Sequence, residues 1–421
     1  MIRVAAYAMY HLSGMLLSIV AGAILFFTYL VLALGRAPFL KIDRTGAAIV
    51  GAALMIATGV TSLDDAYRHV DFRTLVLLFG MMVLIAHLRM ARFFDATAQF
   101  IGNHIRHPAL LLVAVVFASG ILSALFVNDT ICLVFTPVLI ELARARGHKP
   151  LPYLLALATG ANIGSVATIT GNPQNMLIAS LSHIRYGPFL AALGPVALFG
   201  LALDALVLTF IFRRELRPGP LETVTARQHP VHRMMMAKGL IVTAGVLAGF
   251  LLGWDPAVVA AVAAAALLIT RRVNPHKVYR QIDWDLLVLF IGLFVVIGSV
   301  ERIGLAQRLF DVLAPIGLDT IAGLTVVTTV VGNVISNVPA VMLLSRLVPQ
   351  LPDPGTSWLT LAMASTLSGN LTLVGSIANL IVLERARKQG VEISFWQYCR
   401  VGVPVTLATL LFGAFWLAWR L

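Results

Sequence analysis

The 421-residue chain is 59% hydrophobic and only 12% charged, with a mean hydropathy of +0.91 and a formal net charge of +12. A soluble globular protein is roughly half apolar and about a quarter charged, so the composition excludes that class and predicts an all-α polytopic membrane protein. Because the basic residues lie in short connectors between apolar spans, the positive charge reports topology, and no nucleic-acid partner is expected.

Ten apolar stretches of spanning or near-spanning length are predicted, five in each half of the chain. The first is longer than a signal-peptide core and lacks an obvious small-residue cleavage site, so we interpret it as a retained span. In chain order the stretches are 14–34, 46–60, 74–90, 151–181, 188–212, 238–253, 256–270, 285–300, 357–383 and 401–419.

A further apolar segment separates the third and fourth spans of each half, and a polar pair interrupts its middle. The pairs are Asn128-Asp129 and Ser336-Asn337. A straight helix of about 35 residues would overshoot a hydrocarbon core about 30 Å thick. Each segment is therefore either two full spans or a re-entrant hairpin of two half-helices with its tip at mid-membrane. The segments are residues 109–143 and 315–350.

Charge favours the hairpin interpretation. With both segments re-entrant, most of the 31 Lys and Arg residues fall in connectors on one side, as the positive-inside rule requires. Counting each segment as two spans would place the basic clusters around Arg146 and Arg213 on opposite sides. The predicted cytoplasmic connectors are 35–45, 89–108, 144–150, 213–238, 271–280 and 384–400.

Five crossings per half is an odd number, so the second half is predicted to be inverted relative to the first, with both termini outside. Similar motifs recur in the same order in both halves, as expected for a transporter built from repeats. Asp71 pairs with Asp283, Asn128 with Asn337 and Asn175 with Asn379. The predicted units are repeat 1 (1–212, hairpin 109–143, broken helix 151–181), a basic cytoplasmic linker (213–237) and repeat 2 (238–421, hairpin 315–350, broken helix 357–383).

Helix breaks in hydrocarbon leave backbone groups unsatisfied at several kcal/mol each, so they persist where they line a cavity or hold an ion. Half-helix N-termini suit an anion, whereas carbonyl, Asn and Ser oxygens suit Na⁺. Interhelical packing by a single amide is the structural alternative, but four Asn at repeat-related positions argue against it. Gly171, Pro173 and Gly375 support unwinding at the breaks.

Two acids lie within membrane segments. A carboxylate at a mid-membrane tip costs at least about 2.5 kcal/mol unless it is paired, protonated or cation-bound, so Asp129 should titrate or coordinate an ion. Capping of the second half-helix is an alternative role compatible with function. Asp204 is either a second proton site or a hydrated residue near the cytoplasmic end of its span, and we favour the latter.

No cofactor and no transition-metal site are predicted. Two His pairs have spacings that could hold a metal, but both lie in basic connectors without Cys or carboxylate partners. Cys132 and Cys399 show neither disulfide nor metal-ligand spacing. The coupling ion is expected to be H⁺ or Na⁺. The His pairs are His104 with His107 and His229 with His232.

Three motifs carry a family resemblance: FVNDTICLVFTP (126–137), TGNPQNMLI (170–178) and GNLTLVGSIANLIV (369–382). Over nearly its whole length the chain resembles the ion transporter superfamily, which includes arsenite-efflux permeases, divalent anion/sodium symporters and citrate-transporter-like proteins. The resemblance implies a transport domain of hairpins and broken helices that moves against a scaffold.

The resemblance also implies residue roles, since hairpin tips in the dicarboxylate branch carry Ser-Asn-Thr and bind Na⁺ and carboxylates. This chain departs from that pattern at Val127, Asp129, Val338 and Pro339. The predicted substrate-binding residues are Asn128, Thr130, Asn175, Ser336, Asn337 and Asn379. The predicted ion-coupling residues are Ser123, Asn128, Asp129, Gly171, Asn172, Asn337, Gly375 and Ser376.

The favoured function is a secondary active transporter of a small anion or oxyanion, coupled to H⁺ or Na⁺ and embedded in the cell membrane. An arsenite or antimonite efflux permease, a Na⁺/H⁺ antiporter of the same superfamily and an anion channel are the alternatives. An intramembrane aspartyl protease would need two membrane carboxylates, but Asp129 and Asp204 lack the Gly-x-Gly-Asp context, so no enzyme is predicted.

The expected partners are a small-molecule or ion substrate and the lipid bilayer, and a homodimer is the assembly to test. The two halves differ in their polar residues, so the first half is expected to carry the coupling ion more strongly. The first half contributes Asp129, Asn172 and Gln174, and the second contributes Ser336, Pro339 and Ser376.

Overall fold

The computed structural model describes residues 2–37, 40–216, 232–269, 274–302, 304, 311 and 314–420, with side chains described from residue 15 onward. Within these ranges the regular structure is entirely helical, which confirms the all-α prediction. Most of the predicted basic linker, residues 217–231, lies outside the described residues.

Nineteen α-helices are present in the described ranges. Those of the first half are α1 (Ile2–Leu34), α2 (Arg44–Ala57), α3 (Leu63–His69), α4 (Phe72–Met90), α5 (Phe93–His104), α6 (Pro108–Leu125), α7 (Asn128–Ala145), α8 (Leu151–Ser165), α9 (Pro173–Ser182) and α10 (Tyr186–Ile211). Those of the second half are α11 (Arg233–Leu251), α12 (Pro256–Leu268), α13 (Pro275–Tyr279), α14 (Trp284–Arg302), α15 (Ile321–Ile335), α16 (Asn337–Leu344), α17 (Pro354–Leu367), α18 (Ile377–Lys388) and α19 (Phe395–Arg420).

The helices follow the ten predicted apolar stretches. Seven of those described are long and apolar enough to cross a membrane, namely α1, α4, α6, α10, α11, α14 and α19. The stretches 151–181 and 357–383 are each interrupted, and a short 3₁₀ turn follows α8 and α17. The chain is therefore an integral, multi-pass membrane protein.

Both predicted hairpin segments are helix pairs that turn at the polar residues. The first pair, α6 and α7, turns just before Asn128, and the second, α15 and α16, turns at Ser336. At 1.5 Å per residue the 18 residues of α6 extend about 27 Å, nearly the thickness of the hydrocarbon core. The length of α6 is therefore compatible with a full span as well as with one arm of a re-entrant hairpin, so the re-entrant path stays a prediction.

Two helices of the first half pack against two helices of the second half, an arrangement that we call exchanged packing: α4 packs on α12, and α2 packs on α14. A Cβ added at Gly80 would lie 2.6 Å from the backbone of Ala260, and one added at Gly292 would lie 2.7 Å from the backbone of Ala48. Small residues allow such close helix approach in membranes. Gly80 and Gly292 are 212 residues apart, and so are Ala48 and Ala260, which is the spacing expected if the two halves are repeats; the inversion of the second half stays a prediction.

The connectors predicted to be cytoplasmic contact one another. Arg146 donates to the carbonyls of Gly102 and Ile105, Arg144 donates to Gln389 O at 2.6 Å, and Lys149 lies 3.6 Å from Glu215. Connectors predicted on the opposite side also pair, in the ion pairs Arg73–Asp255 and Arg346–Glu301. The grouping agrees with the predicted topology, although the side of the membrane stays a prediction.

Gly80→Ala tests the exchanged packing. The added methyl would press on the backbone of Ala260, so we expect a loss of roughly 1–3 kcal/mol in the free energy of unfolding. The measurement is thermal unfolding of the detergent-purified protein. Gly245→Ala in α11 is the control, because a Cβ there meets nothing within 4 Å. Equal melting temperatures for the two variants would contradict the close approach.

Candidate transport site

The two helix breaks are capped by their own polar residues. Asn172 precedes α9, and its Oδ1 accepts a hydrogen bond of 2.8 Å from the backbone N–H of Asn175. Ser376 precedes α18, and its Oγ accepts one of 3.2 Å from the N–H of Ala378. Side-chain oxygens at these positions satisfy N–H groups that a helix start leaves free. Both residues are buried, so the capped ends lie inside the protein.

Asn175 and Asn379 satisfy backbone carbonyls on the N-terminal side of each break. Asn175 Nδ2 donates to the carbonyls of Ser165 and Thr168 at 3.0 and 2.9 Å. Asn379 Nδ2 makes the equivalent bonds to the carbonyls of Gly369 and Thr372, at 2.7 and 3.3 Å. These amides replace backbone bonds that the breaks remove. The geometry gives both residues a structural task, and their predicted contact with substrate stays a prediction.

The predicted ion ligands Gly171 and Gly375 also occupy equivalent places. A Cβ added at Gly171 would collide with the carbonyl of Ser165, and one added at Gly375 would lie 3.1 Å from the carbonyl of Gly369. The backbone passes so close to these carbonyls that a larger side chain would displace it. Close packing therefore accounts for both glycines, and ion binding by them stays a prediction.

Asn162, which the sequence reasoning missed, connects the first hairpin tip to the second break. Its Oδ1 accepts hydrogen bonds from Asn128 Nδ2 at 2.9 Å and from Ser376 Oγ at 3.1 Å. Its Nδ2 donates to Asn370 Oδ1 at 2.8 Å and to Asn379 Oδ1 at 3.1 Å. This buried side chain thus makes all four hydrogen bonds that an asparagine amide can make.

Thr366 on α17 occupies the corresponding place in the second repeat. Its Oγ1 lies 3.1 Å from Asn172 Nδ2, 3.4 Å from Gln174 Nε2 and 3.4 Å from Asn175 Oδ1. The first break therefore contacts a helix of the second repeat, just as the second break contacts Asn162 of the first. The sequence signal for this pair was weak, because each helix also contains other Ser and Thr residues.

Both hairpin tips and both breaks line one small cavity. Its volume is about 20 Å³, enough for one water-sized ligand. Leu286 in the first turn of α14 forms part of the wall. The lining residues are Asn128, Asp129, Pro173, Gln174, Leu286, Ser336, Asn337, Val338, Ser376 and Ile377. The structure thus brings together predicted residues from four separate segments.

Asp129 lines the cavity without a cationic partner. Its side chain is half-buried, and among the described residues no Lys, Arg or His forms an ion pair with it. The start of α7 has no side-chain cap, so the capping role considered for Asp129 is not what the structure shows. Asp283, which precedes α14, is close enough for the two acids to interact. The carboxyl group of Asp129 therefore lines the cavity beside a second acid and without a compensating cation.

The second tip is uncharged and strained. Ser336 adopts φ 77° and ψ 157°, a conformation that residues other than glycine rarely adopt. Asn337 Oδ1 and the predicted ion ligand Ser123 Oγ are buried and have no hydrogen-bond partner among the described residues. Thr130 is half-buried beside Asp129. Unpaired buried oxygens are costly and often mark places where a ligand binds.

Asp204 lies apart from the lining of this cavity. It is 0% exposed, about two turns before the end of α10, and its Oδ2 lies 2.8 Å from Thr159 Oγ1. The hydrated position favoured from the sequence is therefore wrong. Its depth could not be read from hydropathy, because the surrounding helices, and not the position along the span, bury it.

Broken helices whose polar ends meet inside a membrane-embedded core define a membrane transporter. The family model for the citrate transporter matches residues 27–368, and the chain belongs to this family. The resemblance predicted from the motifs is thereby confirmed.

Curated relatives and a solved structure agree with this assignment. The chain is 32% identical to the silicon efflux transporter LSI3 of Oryza sativa subsp. japonica, over 94% of this chain and 96% of that protein. It is 24% identical to the putative transporter arsB of Dictyostelium discoideum, over 89% and 87% of the two chains. The crystal structure of the Alcanivorax borkumensis YdaH transporter shares the fold, with a TM-score of 0.57, 17% identity and coverage of 97% and 98%.

Asn162→Ala tests the connection between the tip and the breaks. Removing the amide leaves the Asn128 Nδ2 and Asn379 Oδ1 groups without the bonds that Asn162 makes to them, each at about 1–3 kcal/mol, and leaves Asn370 Oδ1 with only its 3.3 Å bond from Tyr398. We expect a clearly lower melting temperature than for Asn103→Ala, which alters an exposed residue of α5. If the two variants have the same melting temperature, the hydrogen bonds of Asn162 do not stabilise the site.

Proposed function

We propose that the protein is a secondary active transporter that carries a small oxyanion, or its neutral oxyacid, across the membrane in exchange or symport with H⁺ or Na⁺. The convergence of two hairpin tips and two helix breaks on one cavity carries this proposal. Non-helical backbone inside a membrane persists where it is buried in protein or lines a cavity, and transporters bind substrates and ions at such breaks. The citrate transporter family and the transporter names of the relatives support the same class.

The chemistry of the cavity favours a substrate of low charge. Amide and hydroxyl groups line it together with Asp129, and no Lys or Arg is among the lining residues. A carboxylate without a counter-charge would repel a di- or trianion. Silicic and arsenious acids are weak acids that are uncharged at neutral pH and rich in hydroxyl groups. These properties match the lining, and silicon is the solute named for the Oryza sativa relative.

The coupling ion is proposed to bind at the first tip. Asp129 supplies a negative charge, and Ser123 Oγ and Asn337 Oδ1 supply neutral oxygens without partners among the described residues. Either a proton on Asp129 or Na⁺ held by such oxygens would remove the cost of the charge. The uncharged second tip then offers Ser336 and Asn337 to the substrate. The charged and uncharged tips thus have different proposed tasks.

Alternating access by inverted repeats is the proposed mechanism. The exchanged packing of α4 with α12 and α2 with α14 supports a two-fold relation between the repeats. The base of the first hairpin lies with connectors predicted to be cytoplasmic, through Arg144 and Arg146. The base of the second hairpin lies beside the C-terminal end of α14, where Arg346 forms an ion pair with Glu301. Hairpins that enter from opposite sides would let one cavity open to either face in turn.

Arsenite or antimonite efflux is the second candidate, since the motif FVNDTICLVFTP (126–137) resembles the arsenite-permease-like branch of the superfamily. A Na⁺/H⁺ antiporter would move ions without an oxyacid, and a channel would give flux that neither saturates nor depends on an ion gradient. Transport by the purified protein in proteoliposomes separates these cases.

Asp129→Asn should abolish coupled transport while leaving the protein inserted and monodisperse. The amide keeps the shape of the side chain but can neither bind a proton nor offer a full negative charge to Na⁺. The measurement is the substrate-driven change in internal pH or Na⁺ of proteoliposomes. Asp64→Asn, at an exposed residue of α3, is the matched control. Unchanged coupling in Asp129→Asn would remove this residue as the ion site.

Ligand-dependent thermal shifts should identify the substrate class. Silicate, arsenite, antimonite and citrate are compared at two pH values, with and without Na⁺. A ligand at a hundred times its Kd stabilises the protein by about 2.7 kcal/mol, a shift that is readily measured. We expect stabilisation by the neutral oxyacids and little by citrate. Stronger stabilisation by citrate would overturn the proposed preference, and a Na⁺ requirement would identify the coupling ion.

A further inference from the structure

A second polar cluster lies between the last long helices of the two repeats, α10 and α19. Asp204 on α10 is fully buried, and its Oδ1 has no hydrogen-bond partner among the described residues. On α19, Thr406 is also fully buried, and its Oγ1 likewise lacks a partner in the described part of the chain. Two unpaired buried oxygens in one helix interface require an explanation.

The contacts between the two helices place these residues at the same level. Trp416 Nε1 donates to Ala192 O at 2.9 Å, the rings of Phe412 and Phe199 stack at 3.9 Å, and Thr409 packs on Gly200. Residue numbers fall along α19 as they rise along α10, so the helices run antiparallel. Continuing one turn beyond the contact of Gly200 with Thr409 brings Asp204 level with Thr406.

Thr159 on α8 indicates which form of the carboxyl group fits this cluster. Its Oγ1 lies 2.8 Å from Leu155 O and also 2.8 Å from Asp204 Oδ2. The hydroxyl has one hydrogen and cannot donate fully to two acceptors. If Asp204 carries a proton, its O–H donates to Thr159, and Thr159 donates to Leu155. Both short distances are then satisfied.

No positive charge compensates an ionised Asp204. Among the described residues, no Lys, Arg or His forms an ion pair with it. The helices α6 and α17 and the 3₁₀ turn Ile169–Gly171, which pack on α10, contain no ionisable side chain. The Tyr398 phenol is close enough to interact with Asp204. The ionisable residues on the other helices that pack on α10 are Tyr153 on α8, Arg233 and Lys238 on α11, and Tyr398, Cys399, Arg400 and Arg420 on α19.

The cluster is connected to the transport site by hydrogen bonds. The carbonyl of Thr159 accepts from Asn370 Nδ2 at 3.0 Å, and Asn370 Oδ1 accepts from Asn162 Nδ2 at 2.8 Å. Asn162 in turn accepts from Asn128 at the first hairpin tip. Tyr398 also donates to Asn370 Oδ1 at 3.3 Å. Asp204 bonds the hydroxyl of Thr159 and Asn370 bonds its backbone carbonyl, so a shift of Thr159 can reach the tip through the side chains of Asn370 and Asn162.

We propose that Asp204 is a second proton-binding site, between α10 and α19, and that Thr159, Asn370 and Asn162 couple its protonation to the transport site. The proton binds to Asp204 Oδ2 and is exchanged with water during the transport cycle. Loss of the proton leaves a buried carboxylate to which the Thr159 hydroxyl must turn, so that it gives up its bond to Leu155. This inference deepens the proposed function, since it assigns one coupled proton to a group outside the cavity.

Infrared spectroscopy of the full-length protein tests whether Asp204 carries a proton. The C=O stretch of a protonated carboxyl group is separate from the bands of carboxylates and amides. At about pH 7 we expect this band in the wild type and its loss in Asp204→Asn. Thr159→Val keeps the carboxyl group but removes its partner, and should move the band to higher frequency. Asp64→Asn, at an exposed acid, should instead remove only carboxylate intensity.

The proposal is overturned if Asp204→Asn loses a carboxylate band instead, or if Thr159→Val leaves the band in place. This readout does not depend on transport, so it remains decisive even if the proposed function fails. Because Thr159→Val retains Asp204, it also provides a test if Asp204→Asn folds poorly.

Proteoliposomes test whether the proton on Asp204 is coupled to transport. A pH gradient of one unit can drive about tenfold accumulation of the substrate inside the vesicles for each proton that is coupled to its transport. We expect Asp204→Asn to lower the accumulation by about this factor, while exchange between equal substrate pools continues because it needs no net proton movement. Wild-type accumulation in Asp204→Asn would show that Asp204 is not coupled. No accumulation by the wild type would count against the proposed function and leave the infrared result to decide the site.

Discussion

The structure depends on one constraint: a helix that stops inside an apolar interior must satisfy the backbone groups that it exposes. At several kcal/mol for each unsatisfied group, two broken helices could not persist without replacement bonds. Asn175 and Asn379 supply these bonds to carbonyls, and Asn172 and Ser376 supply them to N–H groups. Residues next to them in the chain, including Pro173 and Gln174, line the cavity together with Asn337 and its unpaired Oδ1. Maintaining the breaks and binding a ligand are thus tasks of neighbouring residues.

The two repeats share this task unequally. Residues of each break are bonded to a helix of the other repeat, through Asn162 in one case and Thr366 in the other. Asn162 makes four hydrogen bonds, whereas Thr366 makes weaker contacts of 3.1–3.4 Å. One tip carries Asp129 and the other the strained Ser336. The two halves of the site therefore differ in their acidic residues and in backbone strain, a difference that suits the proposed separate binding of an ion and a solute.

Much of this arrangement could be predicted from the sequence, because polar residues in apolar helices are conspicuous. The breaks at Asn175 and Asn379 and the turns at Asn128 and Asn337 were located correctly, since each interrupts a hydrophobic run at a repeat-related position. Asn162 was missed because a single amide in a helix normally indicates packing. Burial of Asp204 was also missed, since it depends on α8 and α19, which are distant in sequence. Hydropathy gives the depth of a span but not which side chains its neighbours enclose.

The close contact of Gly80 with Ala260 has a consequence for how the chain is made. The ribosome releases α2 and α4 long before their partners α14 and α12, so the small-residue faces of the first half enter the bilayer uncovered. Long-range pairings of this kind form late and slowly. During synthesis these faces must therefore wait in lipid or against the insertion machinery until the second half arrives. At that stage the first half of the chain lacks part of its native packing. Its assembly therefore depends on the order of translation as well as on its own contacts.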